Sequence, residues 1–365
     1  MNILTITDVL ANRGGLELLQ TELCSQLVAR GHQIRALYRA GGDLEAEWSR
    51  FATELRAVPT VALGRAGGRS ALRFARAALP SLTLPADLIY VHYYEHLELA
   101  WLAARAGRRP IVAHLHLRGP AGLGPFGRRL VRVADRFVAI SGAVAEGWAA
   151  AGVPRERIDI VHNGVDTAIF TPASPEQILR LRIERSIAPD AFVVVFAGRM
   201  VEHKGAGTLV AAMSLVEAAH PGAILLLAGS GTPPGHPAAG IRQLGHLSRQ
   251  EVVPLLQLAD VVAVPTLEFD GCPLVVAEAL ACGVPVVASS VGGIPEQLSG
   301  DLADWLVPPG RPDLLAAKLR SLSSWRAQAP DLAARARARA VGGFSRQRMV
   351  DGLERSLEAA MSTHR

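Results

Sequence analysis

Lysine is almost missing from this chain. Of 38 basic residues only Lys204 and Lys318 are lysines. The arginine preference is therefore strong, and a lysine that survives it marks a place where a compact ammonium serves and a guanidinium would not. Aromatic residues are scarce as well, at 5%, and no aromatics interleave with the arginines, which argues against a nucleic-acid-binding surface. No apolar run reaches the roughly 20 residues that a membrane-spanning helix needs. The start, Met1-Asn2-Ile3-Leu4-Thr5-Ile6-Thr7, runs directly into an expected strand with no basic leader, so no secretory signal is expected and the reading is cytoplasmic. The three cysteines, Cys24, Cys272 and Cys282, lack metal-ligand spacing and read as reduced thiols.

What is present fits a two-domain α/β protein. The chain has 365 residues, half of them hydrophobic, enough for two domains with separate cores. Charge divides unevenly: residues 1–166 carry 20 arginines against 15 acids, and the remainder balances at 18 against 18. Arg69, Arg73 and Arg76 share an expected helical face, as in part do Arg128, Arg129, Arg132 and Arg136. A solvated helix face is the favoured reading. A weak peripheral contact with anionic lipid at the inner membrane face, through this basic N-terminal domain, is the alternative.

Strands and helices alternate. In the first half, residues 1–7, 33–38, 87–92, 110–115, 136–140 and 158–161 read as strands. Between the first two, Leu16, Leu19, Leu23 and Leu27 recur at helical spacing and Gly31 ends the run, giving a βαβ start and a parallel sheet. The second half repeats this with strands at 192–197, 223–228, 241–244, 261–264 and 284–288. Turn chemistry at Asn163-Gly164-Val165-Asp166, followed by Pro172 and Pro175, marks the join. An amphipathic helix is expected from Phe344 to Met361, after Gly342-Gly343.

The densest motif runs from Phe269 to Val287. Strand 261–264 ends at Pro265, and a helix is expected over Leu274–Cys282, with Pro273 at its first position and Gly283 as the left-handed residue after it. This puts Asp270 and Glu278 at a strand-to-helix crossing, where open α/β sheets hold ligands and a helix N-terminus attracts anions. Glu278 lies amid Val276, Ala277, Ala279 and Leu280, a costly place for an acid without a partner. The plain alternatives are a helix-stabilising Asp270 and a solvated Glu278.

The segment resembles the donor-site motif of retaining glycosyltransferases of the GT-B fold, family 4: a glutamate, seven residues, then a second glutamate. Asp270 stands at the first position, one methylene shorter, and Glu278 at the second; Glu268 is out of spacing by two. Ala197-Gly198-Arg199-Met200-Val201-Glu202-His203-Lys204-Gly205 looks like the family's second strong motif, whose Arg and Lys five apart grip the donor diphosphate. Gly14-Gly15-Leu16-Glu17 looks like the glycine-rich loop after the first strand. His116, with His114 second, is similar to a family histidine that approaches the donor sugar; both point to one side of their strand. Ser141, the 161–166 run, Gly229-Ser230-Gly231-Thr232 and Ser290–Glu296 resemble further markers, and Gly245, His246 and Leu247 resemble the loop beneath the base.

The resemblance implies GT-B architecture: two Rossmann-like domains with parallel sheets facing across a cleft, and a last helix crossing back to the first domain. Expected bounds are 1–166 for the acceptor-binding domain, 167–342 for the nucleotide-sugar domain and 343–365 for the crossing helix. The implied reaction is retaining hexosyl transfer from a nucleotide diphosphate sugar, UDP-linked first and GDP-mannose second, to a glycan, lipid-linked or small-molecule acceptor. Arg199, Lys204, His116 and Asp270 are the expected catalytic residues. Donor contacts are expected from Gly15, Arg199, Lys204, Gly245, His246, Leu247, Asp270, Gly271, Cys272, Pro273, Leu274, Val275 and Glu278. No Asp-x-Asp metal motif is found, no cofactor is expected, and nucleic acid is not a partner. A metal site from His92, His96, His114 and His116 has no matched acidic ligand and is not expected. A nucleotide-sugar epimerase of the same fold and a non-catalytic nucleotide-sugar binder remain as alternatives.

Overall fold

β-branched runs alternating with leucine-spaced segments form two α/β units in the computed structural model, which describes residues 1–12, 14–62, 76, 79, 83–232 and 240–364. The first comprises Met1–His162 with Met349–Arg365, and the second Asn163–Arg348. The division thus falls four residues before the expected 166 and six after the expected 342.

In the first unit the order is β1 (Asn2–Val9), α1 (Gly15–Ala29), β2 (Gln33–Ala40), α2 (Glu45–Phe51), β3 (Glu54–Ala57), β4 (Leu88–Val91), α3 (Leu97–Gly107), β5 (Ile111–Leu115), α4 (Pro125–Val131), β6 (Arg136–Ala139), α5 (Gly142–Ala151) and β7 (Ile158–Ile160). The strands make a parallel seven-stranded sheet ordered β3-β2-β1-β4-β5-β6-β7. Such sheets are covered on both faces, so their strands read as continuous apolar runs; β4 and β5 are buried at every position. Leu19, Leu23 and Leu27 of α1 are buried, while Leu16 at its first turn is half-buried. Gly31 follows in the left-handed region, with φ +90°.

Two expectations need correction here. Arg136 does not share a helix face with Arg128, Arg129 and Arg132: α4 ends at Val131, and Arg136 opens β6, where its guanidinium reaches Asp159 of β7 at 2.9 Å. The edge strand β3, unexpected from the sequence, pairs with β2. Of the other arginine face, Arg76 is exposed, and Arg69 and Arg73 lie outside the described residues.

The second unit runs α6 (Pro175–Glu184), β8 (Val193–Ala197), α7 (Ala206–Glu217), β9 (Ile224–Ala228), β10 (Ile241–Gly245), α8 (Arg249–Leu258), β11 (Val261–Val264), α9 (Leu274–Ala281), β12 (Val286–Ser289), α10 (Ile294–Gln297), β13 (Leu306–Val307), α11 (Pro312–Ser321), α12 (Trp325–Gln328) and α13 (Asp331–Gly343). Its parallel sheet is ordered β10-β9-β8-β11-β12-β13. Local chemistry sets the helix starts. Ser174 caps α6 by accepting from the Gln177 amide, ahead of Pro175 at the first position. Ser248 and Glu251 form a capping box on α8.

One buried ion pair ties α6 to the amino-terminal ends of the central strands β8 and β11. Arg182 donates to Asp260 Oδ1 at 2.8 Å and to the carbonyls of Leu258, Pro189 and Ala191. Asp260 Oδ2 accepts from the Val193 amide at 2.8 Å, and Arg326 adds a second guanidinium at 3.1 Å. Every partner is satisfied, the condition under which a buried pair is tolerated.

The last helix, α14 (Arg346–Thr363), starts in the second unit, and from Met349 it belongs to the first. Its buried Met349, Val350, Leu353, Leu357 and Ala360 lie three or four residues apart along one face. Arg30 at the end of α1 reaches Asp351 at 2.6 Å and Glu354 at 2.8 Å, and His32 Nε2 meets Glu354 at 2.7 Å. No helix among the described residues is long and apolar enough to cross a membrane.

Candidate active site

In the second unit the strand order reverses between β8 and β11, each with its helix on the way to a different neighbour. The carboxyl ends of strands at such a reversal are the place where doubly wound sheets bind ligands. The turn after β8 carries Arg199 and Lys204; the turn after β11 carries Asp270.

Lys204 ends a short 3-10 turn, Glu202–Lys204, and Gly205 follows at φ +73°. Glycine is required there on two counts: the left-handed backbone, and a Cβ that would come 1.9 Å from the Pro265 carbonyl oxygen. The Leu267 amide donates to the His203 carbonyl at 2.8 Å. The two turns are thereby laced together, and Lys204 Nζ donates to Asp270 Oδ2 at 2.5 Å. Both side chains are partly exposed, at 26% and 14%. The pair is partly buried, and each charge offsets the desolvation of the other.

The Asp270 turn is braced from behind. Gly292, at φ +55°, approaches so closely that a Cβ would meet the Asp270 carbonyl oxygen at 2.0 Å, and the Gly293 amide donates to that carbonyl at 2.8 Å. Further along, Asn163 Nδ2 donates to the Cys272 carbonyl at 2.9 Å and Gln297 Nε2 to the Pro273 carbonyl at 3.1 Å. Asn163 belongs to the 161–166 run that the sequence marks as a turn and as a family marker; Gln297 carries no sequence signal. Both are buried polar residues, and their side-chain amides fix the backbone that leads into α9. Pro273 is the residue before the helix, in extended conformation, rather than its first turn. Gly283 is left-handed as expected, φ +71°.

Glu278 lies on α9, half-buried. Burial pushes its carboxyl up to about 7, against the opposing pull of the Arg249 guanidinium. Burial also pushes the Cys272 and Cys282 thiols up to about 12; all three cysteines are buried and free, and their sulfurs are inert spacers. Arg199 is exposed just past β8. Gly245, at φ +70°, and His246 are exposed at the end of β10, with Leu247 half-buried. Gly271 is buried; Leu274 and Val275 open α9 half-buried.

The remaining candidates belong to the first unit. Gly15 opens α1 and is exposed. His114 and His116 do share one side of β5, their rings stacked with centroids 4.0 Å apart. His92 joins them from the carboxyl end of β4, stacking on His116 at 5.9 Å and on His114 at 6.1 Å. One ligand atom from each of the three rings lies within 4.8 Å of the others. His96 is turned elsewhere, its Nδ1 against the Ile6 carbonyl at 3.1 Å. Burial holds His92 and His114 well below the usual histidine range and His116 down to about 3.

Residues 191–324 match the family description Glycosyl transferases group 1 and residues 13–169 match Glycosyltransferase Family 4. D-inositol 3-phosphate glycosyltransferase of Segniliparus rotundus is 32% identical over 318 aligned positions, covering 75% of this chain and 66% of the relative. The enzyme of that name from Mycolicibacterium smegmatis is 30% identical, covering 76% and 68%.

The chain belongs to glycosyltransferase family 4.

It spans about two thirds of the length of those relatives, 66% and 68%. The fold agrees: Anabaena HepE, solved in complex with UDP, superposes with a TM-score of 0.82 at 22% identity, covering 98% of this chain and 100% of that one. The family 4 protein is thus an α/β chain of GT-B fold, with one family match inside the second unit and the other covering most of the first and running on to residue 169.

Proposed function

We propose that this family 4 protein transfers a hexosyl-type sugar from a nucleotide diphosphate sugar to an acceptor hydroxyl, with retention and with no metal on the diphosphate. The observation that carries this is the Lys204–Asp270 contact between the turns after β8 and β11, at the point where the strand order reverses. A cation there faces the site of a diphosphate, and the acid beside it faces the sugar. UDP-linked donors come first, in keeping with the UDP complex of HepE, and GDP-mannose second. The relatives named for inositol 3-phosphate favour a small phosphorylated polyol among the glycan, lipid-linked and small-molecule acceptors.

In the reaction the bond from the anomeric carbon to the β-phosphate oxygen breaks and a bond to the acceptor oxygen forms on the same face. Negative charge develops on the leaving diphosphate. Lys204 and Arg199 neutralise it, Lys204 exchanging part of its hold on Asp270 for the phosphate oxygens. The acceptor proton passes to that diphosphate, so no separate base is needed. Glu278 accepts the two ribose hydroxyls.

A thermal-shift screen against UDP- and GDP-sugars tests the reading, followed by transfer assays with the donor that stabilises. A stabilising donor, its loss in Glu278→Gln, an axial product from an axial donor, and a rate within about twofold with or without added Mg²⁺ are expected. An epimerised donor formed in the absence of any acceptor would assign the alternative activity, and donor binding without turnover across acceptor classes would reduce the protein to a binder.

A further inference from the structure

Five ring nitrogens in the first unit are buried without a hydrogen-bond partner: both of His92, both of His116, and Nε2 of His114. The three residues are 1%, 8% and 2% exposed. A buried polar atom left unsatisfied costs about 1–3 kcal/mol, so a cluster of five needs an explanation. The rings also come from one small region. His114 and His116 alternate on β5, and His92 is the first residue past β4, whose register places Val91 beside Ala113 and hence His92 beside His114. This lies at the carboxyl end of the sheet next to the β1/β4 reversal, again the side where such sheets bind ligands.

We propose that His92, His114 and His116 form a three-histidine site for a divalent transition metal, zinc above all, with a fourth position open to water or an oxygen ligand. Borderline-soft imidazole donors select zinc over magnesium or calcium, which take oxygen ligands. Three imidazoles with one open position are the donor set of catalytic rather than closed structural zinc. One nitrogen of each ring lies within 4.8 Å of the others. Zinc bonds of about 2.0–2.1 Å would draw them to about 3.3 Å in a tetrahedral arrangement, with the rings turning out of their present stacking so that their in-plane lone pairs converge.

Tyr90 supplies the supporting contact. Its hydroxyl lies 2.6 Å from His114 Nδ1. With that hydroxyl oxygen accepting from Nδ1–H, the lone pair of His114 falls on Nε2, the atom left without a partner, which is how an outer hydrogen bond fixes a ligating tautomer. The inference stands on the first unit alone. It leaves the diphosphate chemistry proposed above to Lys204 and Arg199 of the second unit, and it gives His116 a metal in place of the donor-sugar contact that the family resemblance implies.

The test uses the full chain without an affinity tag, stripped with a chelator and then titrated with cobalt and with zinc. Expected are about one metal ion per chain, visible bands of four- or five-coordinate cobalt without thiolate charge transfer, and a raised melting temperature in zinc. Tyr90→Phe should keep the fold and bind zinc about 10–100-fold more weakly, and His92→Gln should abolish the cobalt bands. The proposal fails if the stripped wild-type chain takes up no metal, if thiolate charge transfer shows a cysteine ligand, or if Tyr90→Phe and a folded His92→Gln bind as wild type does. Should His92→Gln not fold, the wild-type cobalt spectrum and the Tyr90→Phe affinity still decide.

Discussion

Lys204 and Asp270 are 66 residues apart in sequence and 2.5 Å apart in space, with the lysine ammonium donating to the carboxylate. One of two lysines in an arginine-rich chain therefore occupies a position held by backbone on both sides. Removing the ammonium in Lys204→Ala should lower kcat/KM at least about 100-fold, the usual loss when one donor to developing charge is deleted. Lys204→Arg should remain about tenfold or more below wild type, because Gly205 packed on the Pro265 carbonyl gives the turn no room to shift for a bulkier head. Steady-state kinetics with the donor found by thermal shift measure both; wild-type turnover in Lys204→Arg would sink the argument for a compact cation.

Glu278 sets a pH signature. Its folded carboxyl is raised from the ordinary 4.5 to about 7, so between those values the folded protein holds a proton that the unfolded chain releases. Stability of the ligand-free protein should therefore fall as pH rises through that window. Relative to Glu278→Gln, wild type should melt lower at about pH 8 than at about pH 5. Donor affinity should run the other way, rising toward pH 8 as the carboxylate becomes available to ribose hydroxyls, and Glu278→Gln should lose that trend.

Two left-handed glycines separate backbone preference from crowding. Gly222, at φ +85°, has nothing within 4 Å of an added Cβ, whereas Gly205, at φ +73°, would drive one to 1.9 Å from a carbonyl oxygen. Gly222→Ala should cost about 1 kcal/mol. Gly205→Ala should cost at least about 2 kcal/mol more, because two turns must separate. Urea denaturation of both variants measures the difference, and equal losses would contradict the close approach.

Asp260 accepts from two guanidiniums and one amide in a nearly dry environment. Asp260→Ala should cost about 3–5 kcal/mol by leaving Arg182 charged and buried. Equilibrium unfolding would show it. A loss below 1 kcal/mol, the range of an exposed pair, would mean the network is solvated.

Much of this was legible in the chain. The four valine-rich residues of β11 coincide with their expected bounds because Pro265 ends them sharply, and Gly283 turns left-handed where expected. β12 starts two residues late, since Pro285 has no amide and contributes only its carbonyl, accepting from Val262. The strands that escaped notice are those with little hydrophobic signal: β3, Glu-Leu-Arg-Ala on a half-buried edge, and β13, two residues long. At the site, the lysine, the two acids and the glycines are visible as types at a spacing. Gln297 is not, and Asn163 is visible only as part of a turn and marker run, because their task is to hold carbonyls 24 and 109 residues away. His114 and His116 share a side by simple alternation, but His92 reaches them only once β4 and β5 are known to be neighbours.

The first unit is discontinuous, closed by residues 349–365 after the whole second unit has intervened. During synthesis the second unit has its full complement of residues once Arg348 has emerged, while the first waits with Arg30 lacking its acidic partners. Trimming the tail would accordingly wound the opposite end of the protein: a nonsense codon near Met349 would spare the second unit and leave the first unit prone to aggregation and proteolysis.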